Sequence, residues 1–282
     1  MHTKILSIIT INRNNAAGLE RTIQSVICQK NTDFEYIIID GASSDESVEV
    51  IQKYAEKINY WISEPDTGVY NAMNKGIRKA QGEFCLFLNS GDWLISPETL
   101  DAVFKEINGN PSDIFYSDMI KSTNVVEYYP RLLTMNYLIR RTINHQNSLI
   151  RRSLFLEHGF YNENLTIASD WEFFLREFWK YKSKFQYMET IISFFDVNGI
   201  GSRPSTERIA EHTIVLQNVF QELADTIIDY RDFRSTVYYD IYKNYGNPKL
   251  LVIISKIYRK LIIFICRIIS LLGIKARINA KT

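Results

Sequence analysis

Over the first third of the chain, short apolar runs that stop in polar clusters alternate with stretches in which apolar residues return every third or fourth position. Ile5-Leu6-Ser7-Ile8-Ile9-Thr10 is rich in β-branched residues and ends in Asn12-Arg13-Asn14-Asn15, which predicts a buried strand delivered into a loop. Leu19, Ile23, Val26 and Ile27 at helical spacing predict a helix, and Phe34 to Asp40 predicts a second strand running into Gly41-Ala42-Ser43-Ser44-Asp45. The alternation repeats with a helix over about 46–54, a strand near Tyr60-Trp61-Ile62, a helix over about 70–80 and the strand Phe84 to Leu88. Such a pattern predicts a parallel sheet covered on both faces. Ligands of open α/β sheets bind at the carboxyl ends of the strands, where Asn12, Asp40, Asp45 and Asn89-Ser90-Gly91-Asp92 all fall. Each alone is ordinary turn chemistry; gathered at the strand ends they favour a site.

The second half is less regular. A strand near 113–118 and a helix around 134–140 lead to Asn144-His145-Gln146-Asn147, the apolar Leu149-Ile150 and a helix over 151–158. Ser169-Asp170-Trp171-Glu172, followed by Phe173, Phe174, Leu175 and Phe178, matches a capping box opening an amphipathic helix. Glu172 is thereby expected to act as a cap, and Asp170 lies in the first turn, where the helix dipole favours negative charge. No repeat or low-complexity linker divides the halves, which are expected to pack as one unit.

With 46% hydrophobic and 23% charged residues among 282, the chain has a globular composition and can bury a sizeable core. Aromatics at 13% suit sugar or base stacking, but core packing is the leading reading. A formal charge of +1 gives no ground for nucleic acid. That balance hides a split: residues 249–282 hold eight basic residues and no acidic one, so the tail carries +8 and the remainder −7. Cys28, Cys85 and Cys266 are far apart and lack C-x-x-C spacing, which indicates neither a disulfide framework nor a zinc site and fits a reducing cytoplasm. The stretch from Ile5 to Ile11 is too short and too polar for a signal-peptide core, so no export signal is expected.

Taken in order, Ile8-Ile9-Thr10-Ile11-Asn12-Arg13-Asn14, Ile39-Asp40-Gly41-Ala42-Ser43-Ser44-Asp45, Gly68-Val69-Tyr70-Asn71-Ala72-Met73-Asn74-Lys75-Gly76-Ile77, Gly82-Glu83-Phe84 through Asp92, and Ser169-Asp170-Trp171-Glu172 resemble the inverting glycosyltransferase family 2, of the bacterial cell-surface polysaccharide type. The resemblance covers roughly residues 4–200. It implies the GT-A fold, an α/β architecture with a Rossmann-like, nucleotide-binding mixed sheet flanked by helices and extended by a helical C-terminal region. The expected division is a nucleotide-sugar-binding half over 1–118, an acceptor-binding and catalytic half over 119–205, a helical extension over 206–248 and a basic amphipathic tail over 249–282. The implied reaction moves a hexosyl or related sugar from a nucleotide-sugar donor, UDP being the family-weighted nucleotide, to a hydroxyl of a lipid-linked oligosaccharide or polysaccharide. The sugar inverts at its anomeric carbon, and a divalent metal, Mn²⁺ or Mg²⁺, assists.

Carried onto this sequence, the family's donor side falls on Thr10, Asn12, Asp40, Asp45, Asn74, Lys75, Asn89, Gly91 and Asp92. Base and ribose need a few fixed hydrogen-bonding groups on a rigid platform, which strand ends supply. The leaving diphosphate needs its growing charge neutralised, which a metal does through one or two carboxylates and phosphate oxygens. Asp92 is the implied metal ligand. Relatives usually carry an Asp-x-Asp pattern at this point, and Asn89-Ser90-Gly91-Asp92 departs from it, so such a site should hold metal weakly until the donor diphosphate joins. Asp170 matches the family's general base, which takes the proton of the acceptor hydroxyl; its alternative duty is to the helix dipole alone. His145, in a His-Gln pair, meets the donor diphosphate or the acceptor, or is a satisfied polar residue near the core. Trp93 and Trp171 stack on sugar rings or pack. Gly199-Ile200-Gly201-Ser202 resembles a lid, and Asp66, Lys75 and Arg203 are weaker choices, the cations for a diphosphate.

Asn12-Arg13-Asn14-Asn15 is not the Gly-rich loop of a nucleotidyltransferase, and no G-x-G-x-x-G follows a strand as an oxidoreductase requires. The remaining rival is a non-catalytic nucleotide-sugar or glycan-binding module with a degenerate metal motif. In the tail, Leu250 to Ile274 is apolar but carries Lys256, Arg259, Lys260 and Arg267. At helical spacing Lys249, Lys256, Lys260 and Arg267 share a narrow arc, which predicts a helix lying in an anionic membrane interface rather than spanning it. Packing on the domain, or on a second copy in a homodimer, is the alternative. A tail lying in the interface is expected to hold the protein, otherwise cytoplasmic, at the inner face of the plasma membrane.

Overall fold

The computed structural model describes residues 4–197, 206–225, 227–229 and 232. The chain divides into two units, residues 1–224 and 225–282. The first unit carries, in order, β1 (Leu6–Asn12), α1 (Ala16–Ile27), β2 (Phe34–Asp40), α2 (Ser47–Lys53), β3 (Tyr60–Ser63), α3 (Val69–Lys79), β4 (Phe84–Phe87), β5 (Trp93–Leu94), α4 (Thr99–Ile107), β6 (Ile114–Ser117), β7 (Met119–Lys121), β8 (Val126–Glu127), α5 (Met135–Leu138), β9 (Ser148–Arg151), α6 (Arg152–His158), α7 (Ser169–Arg176), β10 (Phe185–Met188), β11 (Ser193–Phe195) and α8 (Thr206–Phe220). The main sheet has the order β10-β6-β9-β4-β1-β2-β3, and a smaller one the order β5-β11-β7-β8.

Every residue of β1 is buried, as the middle strand of a two-sided sheet must be. Its alternation sends Leu6 and Ile8 to one face, where they join Tyr36, Ile38, Leu86, Leu19, Ile23, Val26, Leu100 and Val103 in a single cluster with α1 and α4. Ile9 meets α3 on the other face, so closely that a Cβ on Gly76 would stand 2.4 Å from Ile9 Cγ2. Glycine at 76 is therefore what lets the helix seat.

The parallel sheet expected from the alternation is found over β4-β1-β2-β3, and the mixed character that the resemblance implies comes from β9, which runs antiparallel between β4 and β6. The cause is the connection after β6. A parallel return needs a crossover helix, yet between 118 and 147 the longest helix is the four-residue α5, in place of the longer helix expected over 134–140. The chain therefore stays at the carboxyl edge, builds the β7–β8 hairpin there, and re-enters the sheet reversed.

The capping box at α7 is also corrected. Ala168, not Ser169, is the cap residue; Ser169 Oγ is buried without a hydrogen-bond partner, and Glu172 places Oε1 3.7 Å from Arg176 Nε. Burial pushes the Glu172 carboxyl up. Ahead of α7, the N–H groups of Thr166, Ile167 and Ala168 are satisfied from α8, by Glu211.

Candidate active site

A cavity of about 1250 Å³ opens at the carboxyl edge of the main sheet. Its wall includes Asn12, Asp66, Tyr70, Asn89, Asp92, His145, Asp170, Trp171 and Asp196, together with Arg208 and His212 of α8.

Because β1 and β2 run parallel with Asn12 opposite Asp40, their polar ends meet. Asn12 Nδ2 donates to Asp40 Oδ1 at 2.7 Å, and Asp40 also accepts from Ser43 Oγ at 2.6 Å, the Ser43 N–H at 2.9 Å and Ser63 Oγ at 2.7 Å. Burial pushes the Asp40 carboxyl up, but these donors together outweigh it and hold it below its ordinary range. Asp40 is fully buried behind the wall; Asn12 carries the clamp to the cavity, with Oδ1 left as a buried acceptor without a protein partner.

After β4 the chain turns through Gly91 at φ 106°, a conformation glycine adopts freely and other residues do not. The turn sets Asp92 against Asp196, whose N–H donates to Asp92 Oδ1 at 2.8 Å. Burial is the main influence on Asp92 and pushes its carboxyl up to about 7, against that hydrogen bond and the nearby His145 and Gln146. Arg21 pairs with Asp196 at 3.2 Å and lies over the Trp93 ring. Trp93 in turn stacks on Phe194 at 4.9 Å, so of the two readings of this tryptophan the structure supports packing.

Asp170, at the start of α7, faces three donors. Its Oδ2 lies 3.1 Å from His145 Nδ1, and its Oδ1 accepts from the Trp171 N–H at 2.8 Å and lies 3.1 Å from the Tyr70 hydroxyl. That hydroxyl also reaches the Ile167 carbonyl at 2.7 Å, so its one proton is shared. The other ring nitrogen of His145 is 3.2 Å from Asn89 Nδ2. With the Asn89 amide nitrogen donating to Nε2, the proton on Nδ1 is directed at Asp170. Trp171 is held by its indole N–H on the Leu138 carbonyl and packs against the His212 ring at 4.2 Å.

The cavity thus brings together Asn12, Asp66, Asn89, Asp92, His145, Asp170 and Trp171 of the sequence-predicted residues. Six others do not line it. Thr10 bonds Tyr36 and the Leu88 carbonyl; Asp40 is the clamp already described; Asp45 accepts from the Ala16 and Ser47 N–H groups. Asn74 is taken up by Tyr161 and Glu163, Lys75 by Glu64 and the Pro65 carbonyl, and Gly91 by its turn. Arg203 and the 199–202 lid lie outside the described residues. Sequence reasoning missed Tyr70, which stood inside a quoted motif without a role, and Asp196, a polar residue closing the apolar run Ile191 to Phe195. It also missed Glu211, which carries no local signal.

Two solved structures share this fold. TarS of Staphylococcus aureus, residues 1–349, superposes with a TM-score of 0.64 at 17% identity over 86% of this chain and 76% of that one. A mannosyltransferase from Pyrobaculum calidifontis, in complex with GDP-Man and Mn²⁺, gives 0.61 at 12% identity over 92% and 81%. The fold is GT-A. The family model for glycosyl transferase family 2 matches residues 7–176, and the chain belongs to that family. A PGL/p-HBAD biosynthesis glycosyltransferase of Mycobacterium tuberculosis is 32% identical over 203 residues, 71% of this chain and 79% of the relative. The protein is a glycosyltransferase enzyme, which sets aside the non-catalytic module.

Proposed function

We propose that the cavity binds a UDP-sugar and transfers its sugar, with inversion, to a hydroxyl of a lipid-linked oligosaccharide or polysaccharide, with Asp170 as the general base. The observation carrying this reading is the placement of Asp170: a partly buried carboxylate on the cavity wall, oriented by His145 and Tyr70. Asn12, backed by Asp40, offers a fixed polar edge to the base or ribose. The acceptor hydroxyl gives its proton to Asp170 as its oxygen bonds to the anomeric carbon; the bond from that carbon to the diphosphate breaks, and the nucleotide diphosphate leaves with the electron pair. His145, its Nδ1 proton on Oδ2, fixes which carboxylate oxygen is presented.

Among the described residues no three His, Cys, Asp or Glu side chains gather around a metal position. The residues present nonetheless fit a hard cation completed by substrate: Asp92 supplies one buried carboxylate, and Asn89 Oδ1 is a buried oxygen without a hydrogen-bond partner. Asp92 and Asn89 would hold Mn²⁺ or Mg²⁺, which neutralises charge growing on the leaving diphosphate. UDP as the nucleotide is supported by the likeness to TarS, solved in complex with UDP-GlcNAc. No helix among the described residues is long and apolar enough to cross a membrane. Attachment to the inner face of the plasma membrane, and a homodimer, rest on the 250–274 segment, which lies outside the described residues. The reading is tested by thermal shift with UDP-GlcNAc, UDP-Glc, UDP-Gal and GDP-Man, with and without Mn²⁺, since a selective ligand stabilises the fold by mass action. A Tm unmoved by any of the four overturns it.

A further inference from the structure

The segment from Thr166 to Ala168, which lines the cavity just ahead of Asp170, has three consecutive backbone N–H groups directed at one carboxylate. Thr166 N–H donates to Glu211 Oε1 at 2.7 Å, and those of Ile167 and Ala168 both donate to Oε2 at 2.9 Å. Glu211 belongs to α8, beyond the residues matched by the family model, and is 9% exposed. A run of successive N–H groups forms a concave anion site, and the chain fills this one with its own side chain through charge-assisted bonds. The anchored segment leads straight to the reacting end. The Ile167 carbonyl holds the Tyr70 hydroxyl, the same hydroxyl lies 3.1 Å from Asp170 Oδ1, and Asp170 is two residues beyond Ala168. One residue on from Glu211, the His212 ring packs on Trp171, so α8 grips the start of α7 at two adjacent points.

We propose that Glu211 is a positioning residue for transfer, fixing from α8 the segment that presents Asp170 to the acceptor hydroxyl. The inference rests on Asp170 being the base. Glu211 is remote from Asn12 and Asp92 in its contacts, so its loss acts on the chemical step and leaves nucleotide binding in place. A misplaced catalytic group costs up to about a hundredfold in rate. Formate or acetate, a small carboxylate able to enter the vacated anion site, restores part of that loss.

The test uses the full chain with Glu211→Ala and Glu211→Gln, and the exposed Glu207→Gln on the same helix as control. Three quantities are measured: UDP affinity in Mn²⁺, amide hydrogen exchange at 166–168, and kcat for hydrolysis of the nucleotide sugar that most stabilises the wild type. For Glu211→Ala the expected results are exchange faster by about tenfold or more, UDP affinity within about twofold, and kcat lower by about a hundredfold. Formate should recover a measurable part of the lost rate. Glu211→Gln keeps one acceptor oxygen in a side chain of equal size, and should fold and fall between. The proposal is overturned by wild-type kcat in Glu211→Ala, by a loss of UDP affinity as large as the loss of kcat, or by formate restoring nothing. If Asp170→Asn is inactive while Glu211→Ala turns over normally, this inference alone fails. If Asp170→Asn turns over normally, it is the assignment of the base that fails.

Discussion

His145 Nδ1 stands 3.1 Å from Asp170 Oδ2 while Asn89 fixes the opposite ring nitrogen, so strand end, imidazole and carboxylate form one hydrogen-bonded line across the floor of the cavity. The sequence left three duties open for His145: diphosphate, acceptor, or buried structural polar residue. Its ring is committed at both nitrogens, which supports a role through Asp170. His145→Ala should lower kcat by about 10- to 100-fold at nearly unchanged donor affinity, the usual cost of losing an orienting partner. His145→Gln, which can still donate to Asp170, should retain more. Asp170→Asn keeps the shape and loses the basicity, and should abolish transfer with donor binding intact. Steady-state kinetics beside UDP titration checks all three; an equal fall in UDP affinity and kcat for His145→Ala would assign the imidazole to the diphosphate instead.

Asp40 is expected to be a stability determinant first and a nucleotide determinant second. Asp40→Asn turns an acceptor of four hydrogen bonds into a group that must donate from one side, leaving buried donors unmatched at a cost of about 2–4 kcal/mol. The carboxyl's folded value is depressed, so its stabilisation is present above the unfolded value and is lost as pH falls through the lower folded one. Urea unfolding between pH 3 and 7 should show the wild type losing this contribution at the acid end, and Asp40→Asn lacking it throughout.

The alternation from β1 to β4 was legible because each strand is an apolar run closed by Asn, Asp or Gly, and each helix repeats its apolar residues at its own period. The strands β5, β7, β8 and β11, two or three residues each, are too short to carry a period. The reversal of β9 is set by what the preceding connection lacks, which no local pattern announces. At the site, Asn12, Asp92 and Asp170 could be found because strand ends and a helix start mark them. Ser169 and Glu172 showed a capping pattern, yet the N–H groups ahead of α7 are served by Glu211 from a later helix, a pairing that only the folded chain creates. Thr10, Asp45 and Asn74, which the resemblance places on the donor side, are engaged by Tyr36 and the Leu88 carbonyl, by the Ala16 and Ser47 N–H groups, and by Tyr161 and Glu163, because a polar side chain that faces ligand and one that holds a neighbouring element look alike in sequence.

The basic tail remains a prediction from sequence. Lys249, Lys256, Lys260 and Arg267 on one helical arc, with Leu, Ile and Phe covering the rest, should bind anionic lipid more than neutral lipid. Co-sedimentation of the full chain and of a truncation ending at Asn247 with both kinds of liposome checks this. Lipid binding should vanish in the truncation while nucleotide binding persists, and equal sedimentation of the two chains would remove the membrane from the picture.

Asp92 should show opposite signs with and without substrate. Its carboxyl titrates at about 7 in the folded protein, whereas an unfolded aspartate titrates near 4. Between those values the folded state holds a proton that the unfolded state has released, so stability falls as pH rises from about 4 to 7 and then levels off. Asp92→Asn removes the penalty. The substrate-free variant should equal the wild type at pH 4 and exceed it by about 2 kcal/mol at pH 8, an order-of-magnitude figure taken from the displacement and discounted for relaxation around the buried group. Mn²⁺ with UDP should reverse the ranking, because an ionised Asp92 can ligate a cation that an amide holds poorly. Asp92→Ala should likewise weaken UDP binding in Mn²⁺ and change it little in EDTA. Thermal unfolding at pH 4, 6 and 8, with and without Mn²⁺ and UDP, resolves both halves. A variant stabilised by Mn²⁺ and UDP as strongly as the wild type would move the metal away from Asp92, and an unchanged pH profile would mean that the buried carboxylate is ionised throughout.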